Sequence, residues 1–184
     1  MIRTLSSRVV YENPWMVLRE DAIERPGGVE GIYAVVDKPG GALVVPWDGE
    51  RVCLIGQHRY TVDRYSWEFP QGALHGEGSA EDPEDVARQE LREETGLSAE
   101  SMRALGRFTF AIGMSSQWCD CFLAIGLSQG DATPELEEVG LRPRWVDIRK
   151  LEQELRDGSI FDAATLAAWQ LLMLDPELRA MVGR

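Results

Sequence analysis

The sequence has few cysteines and no long apolar run. Its three cysteines, Cys53, Cys119 and Cys121, form no Cys-x-x-Cys pair and leave an odd count, which argues against both a zinc site and a disulfide framework. Cys119 and Cys121 lie two apart in a strand-like run, so both face the same side, as core thiols in a reducing cytosol. No stretch is apolar enough to span a bilayer, and the first 15 residues lack the apolar run of a secretory signal. We therefore expect a cytoplasmic protein.

Positive charge is also scarce. The 184 residues carry 19 Lys and Arg against 31 Asp and Glu, which gives a net charge of −12. Because phosphate backbones select for Lys and Arg, this balance argues against a nucleic-acid groove. It is compatible with a small phosphorylated ligand that cations accompany. The 44% hydrophobic content is enough for a substantial core, and the chain has no internal repeat or low-complexity tract.

The most informative stretch runs from residue 67 to residue 97 and contains a strong helix pattern. Asp82 suits the N-cap of a helix, Pro83 its first residue and Gly96 its C-terminal stop. Between these signals runs a narrow apolar stripe at helical spacing, formed by Val86, Ala87 and Leu91. The sequence therefore predicts a loop that leads into one amphipathic helix.

Three acidic residues of this predicted helix fall on one face. Glu90, Glu93 and Glu94 stand at i, i+3 and i+4, where like charges repel one another by about 0.2–0.5 kcal/mol per pair. A divalent cation would turn this repulsion into attraction, because carboxylate oxygens are the ligands that Mg²⁺, Mn²⁺ and Ca²⁺ prefer. The spacing equally fits a solvated helix face, on which Arg88 and Arg92 would pair with neighbouring acids. The residues by themselves leave both interpretations open.

The same stretch closely resembles the Nudix box, G-x5-E-x7-R-E-U-x-E-E-x-G-U, with U an aliphatic residue. Residues 90–97 fit the second half without a gap, Glu81 lies at the family's spacing upstream, and Gly72 corresponds to the first glycine. Two departures are visible. The loop from Gly72 to Glu81 is three residues longer than the pattern, and Gln89 stands where the family has an arginine that orients the glutamates. Arg88 lies about 100° around the helix from that position and is an imperfect substitute.

Apolar and turn patterns predict the remaining secondary structure. Strands are predicted over residues 8–11, 16–23, 31–36, 42–47, 51–57, 107–111, 118–126 and 144–148. Further helices are predicted over 150–157 and 163–174. Asp48-Gly49 is typical of a hairpin turn, so strands 42–47 and 51–57 are expected to pair. Strands that alternate with helices indicate a layered α/β arrangement.

The resemblance implies an α/β/α sandwich around a mixed sheet. Matches outside the box are similar to the ADP-ribose pyrophosphatase group: leading antiparallel strands, a Q-x-R-Y segment (57–60), a W-E-x-P-x-G segment (67–72) and the closing segment DGSIFDAATLAAWQLL (157–172). In that group the leading section helps to build a homodimer whose interface shapes the substrate pocket. We therefore expect a small N-terminal antiparallel sheet within residues 1–38, which serves dimerisation and covers the substrate, followed by the Nudix domain at 39–184.

The resemblance also implies a metal site for Mg²⁺ or Mn²⁺. The ligands that it assigns are the backbone carbonyl of Gln71 and the carboxylates of Glu90, Glu93 and Glu94. Such ions neutralise the charge of a diphosphate and lower the pKa of a bound water.

Substrate-binding and catalytic residues follow from the same resemblance. Arg59 is expected to hold a phosphate as a fork of donors, and Glu68 is expected to bind the substrate beside it. A glutamate of the acidic loop before the last strand would be the general base, with Glu138 favoured over Glu137 and Glu135. From the sequence alone, Arg59 is equally suited to a surface ion pair, and the acidic loop to a solvated excursion.

The implied activity is hydrolysis of the pyrophosphate bond of a nucleoside diphosphate linked to another group, with ADP-ribose first and other NDP-sugars next. Two features argue against the ADP-ribose assignment. The segment near residues 112–113 lacks a proline that the resembled group usually has, and the Pro70-Gln71-Gly72 sequence also occurs in family members that act on dinucleoside polyphosphates or on RNA 5′ ends. The second hypothesis is therefore a dinucleoside polyphosphate or RNA 5′-end hydrolase. Gln89 and the longer loop fit a third hypothesis, a non-catalytic nucleotide sensor. Each hypothesis predicts a nucleotide as the ligand, and the net charge disfavours RNA.

Overall fold

The computed structural model describes residues 1–74, 82–130 and 140–182. The strands in these ranges are β1 (Arg3–Asn13), β2 (Met16–Arg25), β3 (Val29–Asp37), β4 (Gly41–Pro46), β5 (Arg51–Arg59), β6 (Arg64–Glu68), β7 (Gln71–Ala73), β8 (Leu97–Thr109), β9 (Trp118–Gln129) and β10 (Arg142–Asp147). The helices are α1 (Pro83–Thr95), α2 (Ile148–Asp157), α3 (Ala163–Leu174) and α4 (Pro176–Val182). None of these four helices is both long enough and apolar enough to cross a membrane.

The strands form three sheets. The first has the order β1-β2-β3 and is antiparallel throughout, which confirms the predicted N-terminal sheet. The second has the order β10-β5-β6 and is also antiparallel. The third has the order β7-β4-β9-β8 and is mixed, because β4 and β9 run parallel whereas its other neighbours are antiparallel. The division of the chain at residue 38 remains a prediction.

Helices cover both faces of the mixed sheet. All six residues of β4 are buried, and alternate side chains of a strand point to opposite faces. Val44 packs in one apolar cluster with Leu91 of α1, whereas Val45 packs in another with Leu172 of α3. The result is the predicted α/β/α sandwich, with α1 on one side of the sheet and α3 on the other.

The predicted hairpin between residues 42–47 and 51–57 is wrong. The turn forms, since the Asp48 carboxylate accepts hydrogen bonds from the backbone N–H groups of Glu50 (3.0 Å) and Arg51 (2.7 Å). Beyond it, only Trp47 and Val52 remain bridged. β4 then pairs with β7 and β9, whereas β5 pairs with β6 and β10. The pairing of these strands is set by distant partners and not by the turn that joins them.

Other boundaries follow the predictions more closely. α3 spans the predicted residues, and Cys119 and Cys121 are both buried in the same cluster, as the two-residue spacing predicted. The strand predicted at 107–111 is the end of the longer β8, which begins directly after α1. β8 is an edge strand with few buried side chains, so its apolar pattern is weak. α4 was not predicted.

The chain changes sheets between β6 and β7. Glu68 ends β6 in the second sheet, and Gln71 begins β7 in the third. The two residues between them are Phe69, which is fully buried, and Pro70, whose carbonyl accepts a hydrogen bond from the Val44 N–H (3.0 Å). This crossing places Glu68 and Gln71 close together and directs β7 along α1.

Candidate functional site

Helix α1 begins and ends at the predicted residues. The Asp82 side chain accepts a hydrogen bond from the Glu84 N–H (3.0 Å), and Pro83 is the first helical residue. At the other end Gly96 adopts a left-handed conformation with φ +72°, and its N–H donates to the Arg92 carbonyl (2.9 Å). These local signals fix the register of the glutamates on the helix.

Glu90 and Glu94 lie on the face of α1 that is turned toward β7. Their residues are only 8% and 4% exposed. An oxygen of Glu94 accepts a hydrogen bond from the Gln71 N–H (3.1 Å). The Glu90 carboxylate lies so close to Gly72 that a methyl group there would overlap it. The two carboxylates are therefore held against the backbone of β7.

Glu93 is partly buried, and its carboxylate is hydrogen bonded to a side chain of the same helix. The side-chain amide of Gln89 donates to both carboxylate oxygens of Glu93 (3.2 Å each). Arg88 points elsewhere, because its guanidinium donates to the Glu84 carboxylate (2.8 and 3.0 Å) and to the Ala99 carbonyl (3.0 Å). Arg88 therefore does not take over the position of the arginine that Gln89 replaces.

The donor set on α1 suits a hard divalent cation. Among residues 1–74, 82–130 and 140–182, no three Asp, Glu, His or Cys side chains gather closely enough to hold a metal ion by themselves. Two buried carboxylates nevertheless lie beside the backbone of one short strand. The glycine at position 72 leaves the space that the Glu90 carboxylate occupies. Oxygen donors of this kind are what Mg²⁺ and Mn²⁺ prefer.

An ion pair between the buried Glu68 and the partly exposed Arg59 adjoins these carboxylates. Arg59 Nε donates to Glu68 Oε1 (2.9 Å), and Arg59 Nη2 donates to Glu68 Oε2. The Gln71 side-chain amide also donates to Glu68 (3.2 Å). Burial alone would raise the pKa of Glu68, but the hydrogen bonds and the charge of Arg59 bring it below its usual value. The hydrogen bond to Glu68 in turn raises the pKa of Arg59, so both groups stay charged.

The ion pair lines a cavity of about 480 Å³, a size that suits a small molecule. Besides Arg59, Glu68 and Gln71, its walls include a second cation, Lys38, and two aromatic rings, Phe110 and Phe161. Cations bind phosphate groups, and aromatic rings offer faces to a planar base. The cavity can therefore accept a ligand that combines an anionic group with an aromatic one.

The structure brings together most of the residues singled out from the sequence. Arg59, Glu68 and Gln71 line one cavity, and Gln71 is hydrogen bonded to Glu94. Residues 75–81 and 131–139 lie outside the described ranges, and with them Glu81, Glu135, Glu137 and Glu138. The base assigned to that acidic loop therefore remains a prediction.

Sequence reasoning missed several residues of the cavity wall. They are Lys38, Phe110, Gln117, Phe161 and Asp162. The last two belong to the closing segment 157–172, whose match to the family was the one signal that could have singled them out.

Two family models match this chain in succession. A model described as the nucleoside diphosphate sugar hydrolase N-terminal domain matches residues 2–36. A model described as the NUDIX domain matches residues 37–169.

Several known proteins are similar over nearly the whole chain. An ADP-ribose pyrophosphatase of Mycobacterium tuberculosis (strain ATCC 25618 / H37Rv) is 31% identical over 166 residues, which are 89% of this chain and 79% of that protein. A methanol dehydrogenase activator of Bacillus methanolicus is 27% identical over 183 residues, 96% of this chain and 95% of its own. An ADP-ribose pyrophosphatase of Bacillus subtilis (strain 168) is 27% identical over 184 residues, with 97% and 96% covered.

A solved structure described as an ADP compounds hydrolase has the same fold. It superimposes with a TM-score of 0.86 and covers 98% of this chain and 97% of its own. The two sequences are 19% identical, so this likeness concerns the fold alone.

Proposed function

We propose that this chain, which belongs to the NUDIX family, hydrolyses the pyrophosphate bond of ADP-ribose, to AMP and ribose 5-phosphate, or of a closely related nucleoside diphosphate sugar. Enzymes of this family act on pyrophosphate bonds, and two relatives that align with most of the chain are ADP-ribose pyrophosphatases. The observation that carries the proposal is the cavity beside Arg59, Glu68 and Gln71, which adjoins the buried Glu94 of the box.

Divalent cations belong to this proposal. Their ligands would be the backbone carbonyl of Gln71 and the carboxylates of Glu90, Glu93 and Glu94. When bound there, Mg²⁺ or Mn²⁺ would neutralise the diphosphate and lower the pKa of the attacking water. The chain contributes the placement of the ligands, because α1 and β7 hold Glu90 and Glu94 in fixed positions.

Arg59 and Glu68 act as a unit in the binding of the substrate. Glu68 engages two donors of the Arg59 guanidinium, which leaves three further N–H groups in a fixed orientation for a phosphate. Phe110 and Phe161 would contact the base or sugar in the same cavity. Glu138, or else Glu137, would accept the proton of the attacking water.

A substrate panel tests the proposal. The purified chain is incubated with ADP-ribose, other ADP-, UDP- and CDP-sugars, a diadenosine polyphosphate and a 5′-triphosphorylated RNA, with Mg²⁺ and Mn²⁺ in separate series. We expect AMP from ADP-ribose as the fastest reaction. A faster reaction of the polyphosphate or of the RNA end would establish the alternative hydrolase activity. Binding of ADP-ribose without any turnover across the panel would instead establish a nucleotide sensor.

Gln89→Arg should raise the activity. An arginine at this position would add a positive charge to the donor of the hydrogen bonds to the Glu93 carboxylate, and the resulting ion pair contributes up to about 1 kcal/mol. We expect kcat/KM for ADP-ribose to rise by roughly fivefold, because Arg88 is engaged with Glu84 and Ala99 and does not compensate. Gln89→Leu, which has no donor, should lower kcat/KM. Equal activities of the arginine variant and the parent would show that the amide already orients Glu93.

We propose that the chain is a homodimer joined through its N-terminal sheet. In the single chain this sheet leaves large apolar side chains more than 40% exposed, namely Leu5, Val9, Val10, Tyr11, Val29 and Ile32. Side chains of this kind gain stability when a second copy covers them. The family model that matches residues 2–36 spans the same sheet.

Ile32→Glu should dissociate this dimer. Ile32 is 65% exposed in the single chain, so a charge at this position would leave the monomer folded and would have to be buried only in the dimer. Light scattering after size exclusion should show a dimeric parent and a monomeric variant at micromolar concentration. Leu174→Glu is the matched control, because Leu174 is 66% exposed but lies at the end of α3. A monomeric parent, or the same mass for both variants, would contradict the proposal.

We place the enzyme in the cytoplasm. Cys53, Cys119 and Cys121 are all free and buried, and free thiols of this kind are typical of a reducing compartment. Burial also raises the pKa of the Cys53 thiol to about 12, so this thiol stays protonated and unreactive.

A further inference from the structure

Besides lining the cavity, the closing segment, residues 157–172, contacts the chain just before Gln71 through the hydroxyl group of Thr165. Thr165 lies in the first turn of α3 and is fully buried. Its Oγ1 accepts a hydrogen bond from the Phe69 N–H (3.1 Å) and donates one to Asp162 Oδ2 (2.8 Å). A backbone N–H can only donate, so the hydroxyl must direct its own proton to the carboxylate. Asp162 therefore fixes the orientation of the Thr165 hydroxyl group, and this orientation lets Oγ1 accept the hydrogen bond from the Phe69 N–H.

Phe69 needs this acceptor because it lies where the chain changes sheets. The residue follows the last pair of β6 and precedes β7. Its side chain is fully buried, and a buried N–H that lacks an acceptor is costly. Pro70 carries no N–H, and its carbonyl is bonded to Val44 in β4. Thr165 thus supplies, from a helix 96 residues away in sequence, the acceptor that the crossing requires.

The crossing leads directly to the backbone of Gln71. Two residues after Phe69, the Gln71 N–H donates to Glu94 Oε2 (3.1 Å) and the Gln71 side chain donates to Glu68 (3.2 Å). Segment 69–71 is therefore anchored at both ends, to α3 through Thr165 and to α1 through Glu94.

We propose that Thr165, oriented by Asp162, is a positioning residue that holds the Gln71 backbone against Glu94 and so sets the affinity of the site for divalent cations. The proposal rests on the proposed function, in which the Gln71 carbonyl and Glu94 are metal ligands. Partners that orient metal ligands typically change metal affinity or activity about 10- to 100-fold when they are removed.

A role in capping α3 does not explain the hydroxyl. Asp162 caps the helix by accepting a hydrogen bond from the backbone N–H of Thr165 (2.8 Å), and a valine, alanine or serine at position 165 would supply the same N–H. A capping role therefore predicts that Thr165→Val leaves metal binding unchanged, whereas a positioning role predicts a loss. Thr165→Ser separates the effect of losing the hydroxyl group from the effect of losing the methyl group, because serine keeps the hydroxyl group and lacks the methyl group.

The test measures Mn²⁺ binding without substrate, by the electron paramagnetic resonance signal of free Mn²⁺. We expect Thr165→Val to weaken the Mn²⁺ affinity about 10-fold and to lower kcat for ADP-ribose. We expect Thr165→Ser to retain the Mn²⁺ affinity and kcat of the parent.

Asp147→Ala is the control for loss of stability, since Asp147 caps α2 by accepting a hydrogen bond from the Lys150 N–H (2.9 Å). It should lower the Tm without changing Mn²⁺ binding. If Thr165→Val does not fold, Thr165→Ala, which is smaller, takes its place.

Equal Mn²⁺ affinity in the parent and in the variant without a hydroxyl would overturn the positioning role alone. So would an equal weakening by Asp147→Ala, since general destabilisation would then account for the loss. A parent that binds no Mn²⁺ would overturn the metal site and the positioning role together. A parent that binds Mn²⁺ but hydrolyses no nucleotide sugar would overturn the proposed activity, and the affinities of the variants would still decide the role of Thr165.

Discussion

Glu94→Gln is expected to lower kcat for ADP-ribose by roughly 10²- to 10³-fold while the protein remains folded. The substitution removes the charge of a proposed metal ligand, and the bound metal contributes several kcal/mol of charge stabilisation in the transition state, with about 1.36 kcal/mol for each factor of ten. The fold should persist, because the carbonyl oxygen of a glutamine can still accept the hydrogen bond from the Gln71 N–H. The measurements are steady-state kinetics at saturating Mg²⁺ and the Tm without metal.

Glu84→Gln is the matched control for this experiment. Glu84 lies on the same helix but in its first turn, where it pairs with Arg88, and we expect kcat to stay within about twofold of the parent, since exposed ion pairs contribute little. An equal loss in both variants would point to a general effect of charge on α1. Unchanged kcat in Glu94→Gln would remove Glu94 from the metal site. If the chain is a nucleotide sensor, Glu94→Gln should lower its Mn²⁺ affinity, and neither the parent nor the variant should hydrolyse ADP-ribose.

The helix of the box could be predicted because its signals are local. Asp82, Pro83 and Gly96 act within one turn of the helix ends, and the spacing of the glutamates follows from the helical period. The burial of Glu90 and Glu94 on the side of β7 then follows from the apolar stripe that packs on β4. The leading strands could be predicted for the same reason, since their turns and alternation are encoded in neighbouring residues.

The remaining features depend on contacts between distant parts of the chain. The turn at Asp48 formed as predicted, yet β4 pairs with β7 and β9 whereas β5 pairs with β6 and β10, so the two strands lie in different sheets. The hydrogen bond between Phe69 and Thr165 joins residues 96 positions apart, and no local pattern encodes it. The cavity wall likewise combines Lys38, Phe110 and Phe161 from three distant segments. Such contacts are decided by the packing of helices on sheets, which the sequence pattern does not specify.

Gly72→Ala should remove most of the activity by displacing one carboxylate. Gly72 does not have a positive φ, so the substitution strains no backbone and its effect comes from the added methyl group. That group would overlap the carboxylate of Glu90 and force it away from β7. Displacement of a reacting group by about 1 Å can cost about 10²-fold in rate, whereas the folding free energy should change little, because only the far end of the flexible Glu90 side chain has to move. We expect kcat and Mn²⁺ affinity to fall together, with a Tm close to that of the parent.

Gly113→Ala is the comparison that isolates the overlap. Gly113 also has no positive φ, and an added methyl group there meets nothing within 4 Å. Its backbone carbonyl would still accept the hydrogen bond from the Tyr33 hydroxyl (2.8 Å), so the Tm and the Mn²⁺ affinity should match those of the parent. If Gly72→Ala retains the Mn²⁺ affinity of the parent, the Glu90 carboxylate does not have to lie against β7 in order to bind metal, and the prediction is contradicted. If Gly72→Ala lowers the Tm but not the Mn²⁺ affinity, Gly72 has a packing role only. The Mn²⁺ affinity depends on the position of the Glu90 carboxylate, whereas the Tm depends on whether the carboxylate and the added methyl group can both be accommodated.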